Sequence, residues 1–198
     1  MAIWHIEEPE PFFLEKVPFN QEVTHPLKRL QHLAGRYLLA FLFVDFPLEE
    51  IQIADTRKPY LEKEQYHFSI SHCGHFAAAI VSKTHRVGVD VELVTPRIES
   101  IRHKFLSQTE YKLALGDRTP TEMLTQIWSA KEAIFKWHGS GKLDFKKHIQ
   151  LKRILAPGQE EWNLLSFGFQ KGPPLALEVA VRIFDELVLA WIATQAIL

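Results

Sequence analysis

Apolar residues at Leu27, Leu30, Leu33, Ala34, Tyr37, Leu38, Phe41 and Leu42 recur at helical spacing, with Arg29, His32 and Arg36 on the opposite face. The pattern predicts an amphipathic helix, entered through a proline-marked segment (Pro9, Pro11, Pro18, Pro26) and closed off by Pro47. After the turn-like segment Asp55 to Glu62 the period changes to alternation. Tyr66–Ser71 with Phe68 and Ile70, the apolar run Phe76–Val81, and Val87-Gly88-Val89-Asp90-Val91-Glu92 all read as strands. The second half repeats that order. Helices are expected from Ile98 to Phe105 and, after the capping-box spacing of Ser107-Gln108-Thr109-Glu110, over a short following stretch. Pro120 and Thr121 open a longer helix that runs to His138 and stops at Gly139-Ser140-Gly141. Strands are expected at 149–155, 163–169, 175–184 and 187–194, with Pro173-Pro174 and Asp185-Glu186 as turns. Helix followed by antiparallel strands in both halves is what an internal duplication would leave, although no residue-level repeat is visible.

Composition narrows the class. The 198 residues are 46% hydrophobic and 24% charged with a formal net charge of −1, which suits a folded domain with a real core. No basic excess points toward nucleic acid. Cys73 is the only cysteine, so neither an intrachain disulfide nor a multi-cysteine zinc site can form. The acidic, proline-broken start does not read as a signal peptide, and apolar runs such as Phe76–Val81 and Leu187–Ala193 are too short to span a bilayer. A cytosolic protein without a membrane or nucleic-acid partner is expected.

Two short segments carry candidate chemistry. Asp90 and Glu92 are two apart in a strand, so their carboxylates share one face. Two hard oxygen donors aimed at one point suit Mg2+, which commonly takes one or two carboxylates and leaves its other positions to water and substrate phosphates. Alternating acids on a solvated strand edge are the plainer reading. Glu132 and Lys136 are four apart on the long helix and so stand one above the other, with Thr125 and Ser129 extending the stripe. Leu124, Ile127, Trp128, Ile134, Phe135 and Trp137 make most of the remaining surface apolar, as on a helix buried on several sides. An exposed ion pair at that spacing is the alternative.

Taken together, Val87-Gly88-Val89-Asp90-x-Glu92 and Trp128-Ser129-x-Lys131-Glu132-Ala133-x-x-Lys136 resemble the motifs of the 4'-phosphopantetheinyl transferase superfamily, and the 42 residues from Asp90 to Glu132 fit that family's gap. Lys58-Pro59, Phe68-Ser69-Ile70-Ser71-His72, Arg36 within Ala34 to Leu39, and Lys104-Phe105-Leu106-Ser107-x-x-Glu110 resemble further family segments, so the likeness runs from about residue 30 to 145. Arg57 stands where the family keeps a glycine, and Cys73 where small hydroxyl residues are common. The length resembles the larger, surfactin-type class. That implies an α+β fold of two similar lobes, each a small, mostly antiparallel sheet packed with helices, related by pseudo-twofold symmetry. The lobes would span 1–86, contributing to nucleotide binding, and 87–198, carrying the metal and catalytic motifs, in a chain that acts as a monomer.

The resemblance also implies an activity: Mg2+-dependent transfer of 4'-phosphopantetheine from coenzyme A to a serine of an apo acyl or peptidyl carrier protein, releasing 3',5'-ADP. Asp90, Glu92 and Glu132 would hold Mg2+ (or Mn2+) and Glu132 would take the serine proton. Lys136 would neutralise the leaving phosphate, while Arg36, Lys58, Ser71 and His72 would grip the nucleotide. Arg97, Arg102, Lys104 and Lys112 could meet an acidic carrier. Two rivals remain at this level: another Mg2+-dependent phosphate enzyme, such as a phosphodiesterase or nuclease, and a non-catalytic binding module that keeps the fold.

Overall fold

The computed structural model describes residues 1–18, 23–56, 58–114, 120–155 and 162–196; Arg57 lies outside them. In chain order the elements are β1 (Ala2–His5), α1 (Glu10–Leu14), α2 (Pro26–Leu42), a single 3-10 turn (Leu48–Glu50), β2 (Gln52–Ile53), β3 (Pro59–Tyr60), β4 (His67–Cys73), β5 (Phe76–Ser82) and β6 (His85–Leu93). There follow α3 (Arg97–Phe105), α4 (Gln108–Ala114), α5 (Pro120–His138), α6 (Phe145–His148), β7 (Ile149–Leu155), β8 (Asn163–Phe169), β9 (Leu175–Phe184) and β10 (Leu187–Gln195). The class is α+β, as expected, and every strand pair is antiparallel. One sheet has three strands in the order β1-β5-β4, a second has five in the order β6-β10-β9-β8-β7, and β2 pairs with β3 in a two-stranded sheet. Strand β1, helix α1 and helix α6 had no clear periodic signal; each is too short to show one.

The expected punctuation is in place. Ser107 Oγ accepts from the Glu110 amide at 3.3 Å while Glu110 Oε2 accepts from the Ser107 amide at 2.8 Å, which closes the capping box ahead of α4. Helix α5 ends as Gly139 turns to φ +76°, its amide still bonded to the Phe135 carbonyl. Helix α2 departs from its pattern. Arg36, from its polar side, is buried, as are Gln31 and Gly35, whereas Phe41 from its apolar stripe is 62% exposed. The helix is enclosed on more than one side. Gln31 Nε2 donates to the Gly74 carbonyl at 2.7 Å, and a β-carbon at Gly35 would stand 2.6 Å from Ile70 Cγ2.

Each of the two larger sheets packs its own helices, α2 on the three-stranded sheet and α5 on the five-stranded one, giving two apolar cores. A third apolar cluster, with Ala78, Ile80, Val87, Val89, Val91 and Leu189, joins the sheets. There β4 and β6, each the edge of its own sheet, run side by side in the same direction. The free edge amides of Val89 and Val91 donate to Ser69 Oγ and Ser71 Oγ at 3.1 and 3.2 Å. A buried amide without a partner is costly, so the two serines supply what a neighbouring backbone would otherwise provide.

The other face of β6 meets α5 at very short range. A β-carbon on Gly88 would collide with the Ala133 carbonyl oxygen and stand 2.8 Å from the Trp137 amide nitrogen. Both obstacles are backbone, so no rotamer change relieves them. A little further along α5, the fully buried Lys131 spends its ammonium on the Glu110 carboxylate at 2.6 Å and on the carbonyls of Phe105 and Phe145 at 2.7 and 3.0 Å. Glu110 also accepts from the Leu151 amide at 2.8 Å. One ion pair thus ties α3, α4, α5, α6 and β7 together.

Two outcomes follow. Gly88→Ala forces α5 off β6 and lowers stability by about 2 kcal/mol or more, in the range of overpacked cores; urea denaturation reads it, and an unchanged midpoint would contradict the close approach. Lys131→Met leaves Glu110 as a buried, unpaired charge and costs about 3–5 kcal/mol, read by the same titration. A loss below about 1 kcal/mol would show that the pair is not the tie described here.

Candidate active site

Alternation along β6 turns Gly88, Asp90 and Glu92 toward α5, and the close approach at Gly88 lets short side chains bridge the two elements. Asp90 is only 3% exposed, yet its carboxylate is well supplied. Ser71 Oγ and Lys136 Nζ donate to Oδ1 at 2.9 and 2.7 Å, and Ser129 Oγ donates to Oδ2 at 2.9 Å. Lys136 also donates to Ser71 Oγ at 2.7 Å. Strand β4, strand β6 and helix α5 therefore converge on one carboxylate. Lys136 does not form an i,i+4 pair with Glu132; it reaches across to the strand instead.

Glu92 is held from two sides. The Trp128 indole donates to Oε1 at 3.1 Å and the Cys73 thiol donates to Oε2 at 3.5 Å. Burial, and then the Asp90 charge, raise its pKa. Glu132 has no hydrogen bond among the described residues, and burial followed by Asp90 pushes its pKa up to about 7 against the opposing pull of Lys136, with Glu92 adding to the rise. Three carboxylates thus share one ammonium. Among the described residues no three His, Cys, Asp or Glu side chains are gathered into a ready-made metal cluster.

The expected nucleotide-binding residues are spread along the cleft. His72 follows Ser71 on β4, its ring 5.4 Å from that of His32 on α2. Its surface is open to solvent, but desolvation, and then His32 and Lys136, drive the imidazole down to about 4, so it is neutral at pH 7. Arg36, one turn beyond His32, is buried in α2. Lys58 and Lys136 both line a cavity of about 190 Å3 with Thr56, Pro59 and Gly139. A β-carbon on Gly139 would meet Lys58 Nζ at 2.7 Å, which places that ammonium just past the end of α5. Burial, then Arg86, lowers Lys58 to about 8. So Ser71, Asp90 and Lys136 are in direct contact, Glu92, Glu132 and His72 surround them, and Lys58 lies in the adjoining cavity.

Sequence reasoning gave no role to Trp128, Ser129 or Cys73 at this site, although the first two stand inside the recognised motif. Their spacing on α5 was the available signal: Ser129 lies three residues before Glu132 and so on the same side of the helix. Nothing local pointed Cys73 at Glu92, because that contact is made across two strands.

Comparison with known proteins bears on the same residues. The model of a family described as the 4'-phosphopantetheinyl transferase superfamily matches residues 86–190, more than half of the chain. The 4'-phosphopantetheinyl transferase AcpT of Escherichia coli (strain K12) is 32% identical over 120 residues, covering 57% of this chain and 59% of that protein. Enterobactin synthase component D of Escherichia coli O157:H7 is 32% identical over 123 residues, covering 55% of this chain and 54% of that protein. The matched region thus spans a little over half the length of these curated relatives. A solved structure, the holo-[acyl-carrier-protein] synthase of Thermotoga maritima, aligns at 19% identity with a TM-score of 0.39 over 56% of this chain and 63% of that one.

The Cys73 contact can be checked directly. Burial is the first cause that raises its thiol, to about 11, with Glu92 opposing ionisation. At pH 8 its alkylation by iodoacetamide should be roughly a hundredfold slower than that of an unhindered cysteine, because only the thiolate reacts. The rate should climb with pH toward 11 and increase in Glu92→Gln. Alkylation at the rate of a free thiol would show that Cys73 does not lie against Glu92.

Proposed function

Since the chain belongs to the 4'-phosphopantetheinyl transferase superfamily, we propose that it moves the 4'-phosphopantetheine group of coenzyme A onto a serine hydroxyl of an apo acyl or peptidyl carrier protein. The observation that carries this reading is the meeting of Ser71, Asp90 and Lys136, with Glu92 and Glu132 beside them, at the junction of the two sheets. In the reaction the serine oxygen bonds to the β-phosphorus of coenzyme A, the pyrophosphate P–O bond breaks, and 3',5'-ADP leaves with the bonding electrons.

The donor set suits a hard divalent cation. Three carboxylate groups lie close together, and two have pKa values raised first by burial and then by the Asp90 charge. Asp90, Glu92 and Glu132 would hold Mg2+ or Mn2+, and the ion would supply charge stabilisation to the pyrophosphate oxygens. The chain's own residues do the rest. Trp128 and Cys73 aim Glu92, while Ser71 and Ser129 fix Asp90. Glu132, near 7, is poised to accept the serine proton. Lys136 trades its bond to Ser71 for the leaving phosphate, where charge appears only as the bond breaks. Lys58, His72 and Arg36 orient the nucleotide, with neutral His72 donating one N–H to the 3'-phosphate.

The carrier would dock on α3 and α4, where Arg97, Arg102, Lys104 and Lys112 are all exposed. Two lobes within one chain would enclose one complete cleft, so a monomer is the working form. No helix among the described residues is long and apolar enough to cross a membrane. We place the protein in the cytosol, where coenzyme A and carrier proteins meet.

Incubation with coenzyme A, Mg2+ and an apo carrier protein, read by intact mass, should add one phosphopantetheine group. Glu132→Gln should remain folded and lose at least a hundredfold in kcat, in the range for a removed general base. His72→Ala should instead raise KM for coenzyme A roughly ten- to a hundredfold, with little change for 3'-dephospho-coenzyme A. No mass addition to several apo carriers would overturn the reading, and a folded Glu132→Gln with near-normal kcat would remove Glu132 from its role.

A further inference from the structure

Because β4 and β6 run in the same direction, the cleft between the sheets has two ends. Asp90 and Glu92 lie toward one. At the other, where β4 and β6 begin, opens a cavity of about 550 Å3. Arg86, at its rim, is four residues before Asp90, or about 13 Å along an extended strand. The wall carries the rings of Tyr60, Tyr66, Phe68 and Trp137, with Leu61 and Leu177 beside them. Among the described residues its charged groups are Lys58, Arg86 and Glu64. Arg86 lies 5.0 Å over the Trp137 ring and donates to the His138 carbonyl. The Lys58 ammonium has no hydrogen bond or ion pair among the described residues. Among the described residues two cations therefore face one acid, an excess of positive charge against a ring-lined hollow.

We propose that this cavity is a second small-molecule site, taking a flat aromatic monoanion of the arylcarboxylate class with its carboxylate against Lys58 and Arg86 and its ring among Tyr66, Phe68 and Trp137. The volume lies within the range of small-molecule sites, and the mixture of apolar walls with few polar groups is typical of them. Stacking and burial supply affinity while the cations select charge. Lys58 also borders the 190 Å3 cavity next to Lys136. A ligand that engages its ammonium withdraws it from the nucleotide, so occupancy antagonises coenzyme A. That coupling, though not the site itself, rests on the reading of Lys58 given above.

The test is calorimetric titration of the full chain with 1-naphthoate. One saturable site is expected, at least tenfold weaker for the uncharged 1-naphthylmethanol. Ala176→Trp, which fills the mouth from an exposed strand position, and Arg86→Leu should each weaken 1-naphthoate at least tenfold. In the transfer assay 1-naphthoate should raise KM for coenzyme A at constant kcat, and Ala176→Trp should abolish that inhibition while keeping the wild-type KM. Absence of saturable binding, or binding unchanged in both variants, would overturn the site. So would Ala176→Trp raising KM for coenzyme A by the factor that it costs 1-naphthoate, because the cavity would then belong to the nucleotide. The titration uses no carrier protein, so its failure is distinct from failure of the transferase reading.

Discussion

The distance between α5 and β6 governs the site. Gly88 leaves no side chain between the Ala133 carbonyl and the strand, so the helix backbone rests almost on the sheet. At that separation Ser129, with one side-chain oxygen, spans the gap to Asp90, and Trp128 and Lys136 reach Glu92 and Asp90 from either side. A helix standing one methyl group further out would leave Ser129 short of its partner and expose the carboxylates. Glycine in a strand usually weakens it. Here the weakness is offset by the constellation that the close approach permits.

Two groups of buried charge on the same helix show how satisfaction separates structure from chemistry. Lys131 and Glu110 are fully engaged: three acceptors surround the ammonium, and two backbone amides supplement the carboxylate. Such a pair holds several elements in register and has nothing left to offer a substrate. The Asp90 group is under-supplied. One ammonium serves three carboxylates, and Glu132 accepts no hydrogen bond among the described residues. Negative charge concentrated in this way favours a cation and leaves Glu132 able to exchange a proton near neutrality.

The junction of the sheets adds a further constraint. Ser69 and Ser71 bond the edge amides of β6, but Ser71 also donates to Asp90 and accepts from Lys136. One hydroxyl therefore serves both the union of the sheets and the site. Movement of one sheet against the other would disturb the Asp90 cluster at once.

Much of this was legible from local pattern. Strand alternation put Asp90 and Glu92 on one face, helical spacing defined α5 to within its caps, and the spacing of Ser107 and Glu110 anticipated a capping box that the structure closes. The motif residues identified the family that the comparisons support. Other features came only with tertiary structure. Lys131 and Lys136 lie on the same helix within one motif, about 140° apart around its axis at 100° per residue; only the packing of α3, α4 and α6 on one side and β6 on the other makes the first structural and the second part of the site. Likewise the spacing in α2 marked a polar face, yet Arg36 on it is buried and the apolar Phe41 is exposed. Cys73 meets Glu92 across strands of different sheets. Periodicity records which residues share a face. What lies against that face depends on contacts between residues far apart in the chain, and those arise only when the sheets and helices pack together.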